Sequence, residues 1–199
     1  VSDPEPPPPT AATTVSATGP DPFGTLLAAA RAGDDGAWRQ LYEHLAPAVA
    51  GYLRAQGVRD VDGVSSEVWL GVFRGIGSFT GGAEQFRSWL FVIAHRRVLD
   101  ERRRHGRDRS VAVADVPSTD DAPGADTEAM RSFATERVLV TLDRLSAEQR
   151  DVLVLRIVGD LTVAQVAEVV GRSEGAVKAL QRRGLEAVRR ILSAEGVPL

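Results

Sequence analysis

Apolar residues recur at helical spacing along most of this chain, and no stretch shows the two-residue alternation of a strand. The clearest stripe is Val163, Val166, Ala167 and Val170, at i, i+3, i+4 and i+7. Gly171 follows at once, in the place where a helix ends with positive φ. Ser173 is placed to cap a second helix, and Glu174 suits the positive end of that helix's dipole. This second helix is predicted to bury Val177, Leu180, Gly184, Val188 and Ile191 and to show Lys178, Arg182, Glu186 and Arg189 outward. A small residue at the crossing, a tight turn and a cationic outer face together predict a helix-turn-helix, whose second helix enters the DNA major groove.

The same periodicity predicts further helices upstream. Phe23–Asp34 is short and amphipathic, and Gly33-Asp34-Asp35-Gly36 breaks it. Ala37–Gln56 carries Trp38, Leu41, Tyr42, Leu45, Val49, Tyr52 and Leu53 on one broad face, with Pro47 expected to bend or split it. Val58–Phe73 has a stripe of Val61, Val64, Val68 and Val72. Glu84–Arg104 starts aromatic and ends cationic, with Phe86, Leu90, Ile93 and Ala94 inward and arginines crowding its C-terminus. Those arginines fit the negative end of a helix dipole, and equally a track for nucleic-acid phosphates beside aromatics; the residues alone favour neither. Two more helices, Glu128–Arg144 and Ala147–Val158, precede the helix-turn-helix, the latter with Ser146 and Gln149 at capping-box spacing. The Gly-rich stretch Gly75–Ala83 follows a helix rather than a strand and lacks Gly-Lys-Ser/Thr, which excludes a nucleotide loop.

Composition divides the chain. Residues 1–22, with four consecutive prolines, read as a disordered tail, and residues 110–128, with five acids and no base, as an acidic flexible linker. The net charge of −3 therefore hides two mildly basic segments, 23–109 with 13 arginines against 10 acids and 129–195 with 11 bases against 9 acids. The fold class predicted is all-α: two small helical domains joined by a flexible linker, the C-terminal one containing the helix-turn-helix. There is no cysteine, hence no disulfide, thiol nucleophile or cysteine-ligated zinc. His44, His95 and His105 are dispersed without metal-ligand spacing, and no acid, base and nucleophile constellation stands out. No metal, no cofactor and no enzyme activity are expected. The chain shows neither a membrane-spanning run nor a signal-peptide pattern, so a cytoplasmic protein without membrane insertion is expected. Trp38, Trp69 and Trp89 are expected in cores, where large apolar groups mostly pack.

The order of these parts resembles that of extracytoplasmic-function (ECF) sigma factors, the minimal sigma subunits of bacterial RNA polymerase. Asp60-Val-Asp-Gly-Val-Ser-Ser-Glu-Val-Trp-Leu70 is similar to the family's polymerase-docking helix, Phe86-Arg-Ser-Trp-Leu-Phe-Val-Ile-Ala-His95 with the arginines beyond it to its promoter-melting helix, and Leu161–Arg190 to its C-terminal helix-turn-helix. The resemblance implies that 23–109 is sigma region 2 and 129–195 is sigma region 4. It implies polymerase contacts from Asp62, Val64, Glu67 and Trp69. It places Ser78, Phe79, Thr80 and Gln85 around a base flipped from the −10 strand, and Arg87, His95, Arg96, Arg102, Arg103 and Arg104 along DNA. Ser173, Lys178, Ala179, Arg182 and Arg183 would face the −35 element. Core RNA polymerase, promoter DNA and an anti-sigma factor are the partners implied. The alternative is a stand-alone helix-turn-helix regulator with an N-terminal sensing or dimerisation domain, for which an arginine track after an aromatic helix has no use.

Overall fold

The computed structural model describes residues 22–108 and 135–196, without the side chains of 105–108. The expected tail and acidic linker lie, but for Pro22, outside the described residues. Among these residues every regular element is helical: α1 (Pro22–Arg31), α2 (Asp35–Ala55), α3 (Val61–Gly75), a 3-10 turn (Ile76–Ser78), α4 (Ala83–Asp108), α5 (135–143), α6 (Ala147–Ile157), α7 (Val163–Val170) and α8 (Glu174–Ala194).

Side-chain caps fix most helix starts. Asp34 accepts from the Ala37 N–H at 2.6 Å, and Asp60 from the Gly63 N–H at 2.8 Å. Ser146 and Gln149 close the capping box expected for α6. Thr162 and Gln165 close a second one on α7 that the apolar stripe does not announce, although Thr-x-x-Gln is the pattern for it. Pro47 does not split α2, which runs unbroken through it. The carbonyl deprived of a partner is that of Glu43, and Glu43, His44 and Pro47 are all exposed, so water can serve where the helix cannot.

In the N-terminal unit α1 packs on α2, α2 on α3 and α3 on α4; in the C-terminal unit α6, α7 and α8 pack on one another. The first core is aromatic around the start of α4, where Phe79 stacks on Trp89 at 5.1 Å and Phe86 meets both rings. Gly75 is required beside it, because a Cβ there would lie 2.6 Å from the Trp89 ring. Gly81 serves close packing likewise, with the Phe79 ring 2.9 Å from where its Cβ would lie. In the second core Gly184 lets α8 approach α6: a Cβ at 184 would meet Leu153 Cδ1 at 2.9 Å.

The units are not apart. α4 packs on α7 and α2 on α6, and the buried apolar residues form one continuous cluster across both. The two helical domains expected from the sequence are both present, and they also pack on each other. The reason is visible in α6, where Val152, Leu153, Val154 and Leu155 are all buried. A helix apolar around most of its girth needs neighbours on more than one side.

Candidate nucleic-acid interface

α7 ends on Gly171 at φ 64°, ψ 41°, the left-handed conformation that favours glycine, and Ser173 caps α8 by accepting from the Ala176 N–H at 3.2 Å. The three residues between the helices, Gly171, Arg172 and Ser173, set a sharp turn, and Val166, Ala167, Val177 and Leu180 bury the angle between them. α8 then presents Lys178, Arg182 and Arg183 to solvent, with Ala179 half-buried between them and Ser173 exposed at its start. Lys178 pairs with Glu174 at 3.6 Å and Arg182 with Glu186 at 3.8 Å, both one turn away. Such exposed pairs are worth about 0.3–0.5 kcal/mol, so an incoming phosphate can displace them.

The N-terminal unit presents its candidates unevenly. Ser78 and Thr80 are exposed, the Ser78 hydroxyl donating to the Gly75 carbonyl at 3.0 Å, and Gln85 is exposed with its Oε1 accepting from the Gly82 N–H. Phe79, however, is fully buried against Trp89 and shapes the loop from beneath. Arg96, Arg103 and Arg104 are exposed along α4, while Arg87 and Arg102 are half-buried.

His95 is a correction to the expected DNA track. It is only 4% exposed, and its Nδ1 lies 2.8 Å from the Tyr52 hydroxyl. Burial pushes its imidazole below the usual 6.5, with Arg102 acting the same way and Asp151 opposing. Burial, aided by Asp151, also raises the Tyr52 phenol well above its usual value, against Arg102 and Gln56. Both groups are thereby held neutral, as a buried polar pair must be.

On α3, Asp62 and Glu67 are exposed, but Val64 and Trp69 are core residues. The exposed large apolar side chains there are instead Leu70, 47% exposed, and Phe73, 62% exposed, with the Phe73 ring 5.4 Å from that of Trp38. Sequence reasoning missed Leu70 and Phe73, although both fall outside the Val61, Val64, Val68, Val72 stripe and so had to point elsewhere. No group of His, Asp and Glu that could hold a metal occurs among the described residues, and no described helix is long and apolar enough to cross a membrane.

The geometry defines a helix-turn-helix DNA-binding protein with a second, arginine-bearing helical unit. Comparison with known proteins narrows it. The family description Sigma-70 region 2 matches residues 41–108, and Sigma-70, region 4 matches residues 141–190. The ECF RNA polymerase sigma factor SigD of Mycobacterium tuberculosis (strain ATCC 25618 / H37Rv) is 31% identical over 178 residues, covering 86% of this chain and 84% of SigD. BldN of Streptomyces coelicolor (strain ATCC BAA-471 / A3(2) / M145), also an ECF sigma factor, is 29% identical over 84% of this chain and 64% of its own. Among solved structures, CnrH in complex with the cytosolic domain of CnrY aligns with a TM-score of 0.64 at 26% identity, covering 87% of this chain and 99% of that one. The chain belongs to the ECF RNA polymerase sigma factors. It directs promoter-specific transcription initiation by binding RNA polymerase and promoter DNA, and its role is not enzymatic.

Proposed function

We propose that the two units divide promoter recognition between them. α8 reads the −35 element through Lys178, Ala179, Arg182 and Arg183, with Ser173 at its N-terminus. The loop of Ser78, Thr80 and Gln85 receives an unstacked −10 base, and Arg87, Arg96, Arg102, Arg103 and Arg104 follow the strand. Asp62, Glu67, Leu70 and Phe73 form the surface that docks on core polymerase. On this reading residues 23–109 act as region 2, 129–195 as region 4, and 110–128 joins them. The compartment is the cytoplasm, where the polymerase works, and a protein partner comparable to CnrY restrains the factor.

The observation that carries this reading is the coexistence of two helices with exposed cations, α4 and α8, on one chain whose α3 also exposes Leu70 and Phe73. Two weak readers joined covalently discriminate jointly, since each mismatched base pair costs about 1–3 kcal/mol. The test is run-off transcription on genomic fragments with reconstituted holoenzyme. Promoter-specific transcripts are expected from the wild-type chain, none from Leu70→Asp/Phe73→Asp, and altered promoter choice from substitutions at Lys178 and Arg182. If the Leu70/Phe73 double variant stays folded and still co-elutes with core polymerase, the docking assignment is wrong.

A further inference from the structure

Of the 24 lysines and arginines in the chain, Lys178 is the one lysine. The two side chains are not equivalent. Arg102 shows what a guanidinium does: it donates to both carboxylate oxygens of Asp151, at 2.9 and 3.3 Å, and to Gln56 Oε1 at 2.7 Å, a planar fork that an ammonium does not reproduce. What an ammonium offers instead is reactivity. Once it sheds a proton, its amine is a nucleophile, and acylation of that amine erases the charge. Arginine stays charged.

This lysine stands within a line of charges on α8. Glu174, Lys178, Arg182 and Glu186 follow one another at four-residue spacing, so they share a face, with about 5–6 Å between successive Cβ atoms. Lys178 Nζ lies 3.6 Å from the Glu174 carboxylate, on a side chain that is 65% exposed. Arg182 Nη1 lies 3.8 Å from Glu186, the acid on its far side from Lys178. The amine thus has a carboxylate one turn before it, placed to accept a proton. One turn after it stands a guanidinium, the group suited to phosphoryl oxygens. Glu174, Lys178 and Arg182 are all exposed, so a small acyl donor reaches them directly from solvent.

We propose that Lys178 is an acylation site and that its donor is an acyl phosphate. Arg182 gives up its exposed pair with Glu186 and holds the donor's phosphoryl oxygens. The neutral Lys178 amine attacks the acyl carbonyl carbon. A C–N bond forms, and the bond from that carbon to the phosphate oxygen breaks. The proton that the amine sheds passes to Glu174 and from there to solvent, and the electron pair of the broken bond leaves with inorganic phosphate. Nothing is oxidised or reduced. The product is a neutral amide, so the line keeps its Glu174 carboxylate and loses the ammonium beside it. The modification stands on these three residues alone; its consequence for promoter binding rests on the −35 role given above to Lys178.

The full-length chain is incubated with acetyl phosphate, and acetylation is followed by tandem mass spectrometry. Lys178 is expected to react severalfold faster than Nα-acetyl-lysine amide in the same mixture. The rate should fall severalfold in Glu174→Gln and in Arg182→Ala, each checked for native helicity. A Lys178 that reacts no faster than the free amide, or at the wild-type rate in either variant, overturns the site. The acetylated chain is then titrated with a short random-sequence duplex DNA by fluorescence anisotropy. Binding is expected to weaken severalfold, with its salt dependence flattened by about one unit of slope. If acetylation leaves binding unchanged while Lys178→Ala weakens it, the effect assigned to the lost charge is wrong. If Lys178→Ala also leaves binding unchanged, the −35 role of Lys178 fails, whereas the acylation site is judged by its rates alone.

Discussion

α4 and α8 are both long helices with more bases than acids, yet they hold their charge differently. On α8, Lys178 and Arg182 pair with acids of their own helix, one turn away in open solvent. On α4 the arginines answer to other elements. Arg97 lies 3.7 Å from Glu67 on α3, and Arg102 binds Asp151 on α6, while Arg103 and Arg104 pair locally with Asp100 and Glu101. A count of arginines therefore says little about which of them are available. The α8 cations are available for DNA as they stand; part of the α4 set must first give up a protein partner.

The contrast can be broken at several points. The largest effect is expected from Phe86→Ala, which empties a fully buried position among Phe23, Phe79 and Trp89. A loss of about 3–5 kcal/mol should appear in thermal or denaturant unfolding, removing the α4 track while α8 keeps its sequence and charges. Arg102→Ala comes next. It strips a nearly buried carboxylate and Gln56 of their shared partner, and a loss of about 1–3 kcal/mol is expected in the same measurement. A result within error of wild type would mean that the pair contributes nothing to folding. Lys178→Ala/Arg182→Ala should leave stability within about 0.5 kcal/mol. It should weaken duplex binding and flatten its salt dependence by about one unit of slope for each phosphate no longer neutralised.

The smallest effect expected is with pH. Because burial lowers the His95 pKa in the folded chain, the unfolded chain takes up a proton first as the solution is acidified. More protons bound in the unfolded state means stability that rises with pH. The full value is present above the usual imidazole pKa near 6.5 and falls as pH drops below it. Thermal melts across that range should show the decline, and His95→Gln should flatten it.

Much of this fold is legible in sequence, because it is written in local chemistry. Gly171 and Ser173 place the turn, Ser146 and Gln149 start α6, and the valine stripe orients α3. The misses share one cause: periodicity shows which face of a helix is apolar, not what that face will meet. His95 and Phe79 read as DNA contacts by position, yet packing takes them inward. Leu70 and Phe73 lie off the stripe, and only the finished surface shows both exposed, with Phe73 against Trp38. Asp151 is harder still, since an acid in an apolar run reads as a solvent-facing gap until a guanidinium from another unit is seen against it. Even there a hint existed, because four consecutive apolar residues on α6 exceed what one neighbour can cover.

The missing side chain at Gly184 has a reach beyond its own surroundings. With Leu153 seated there, α8 rests on α6 as a beam on a pivot. Lys178 lies six residues toward the turn that joins α7, about 9 Å away at 1.5 Å per residue. A methyl group at the pivot that tilted the beam by about 10° would swing that ammonium sideways by roughly 1.5 Å, more than a hydrogen bond tolerates. On the −35 role proposed for α8, base choice is thereby open to respecification from a position buried against α6.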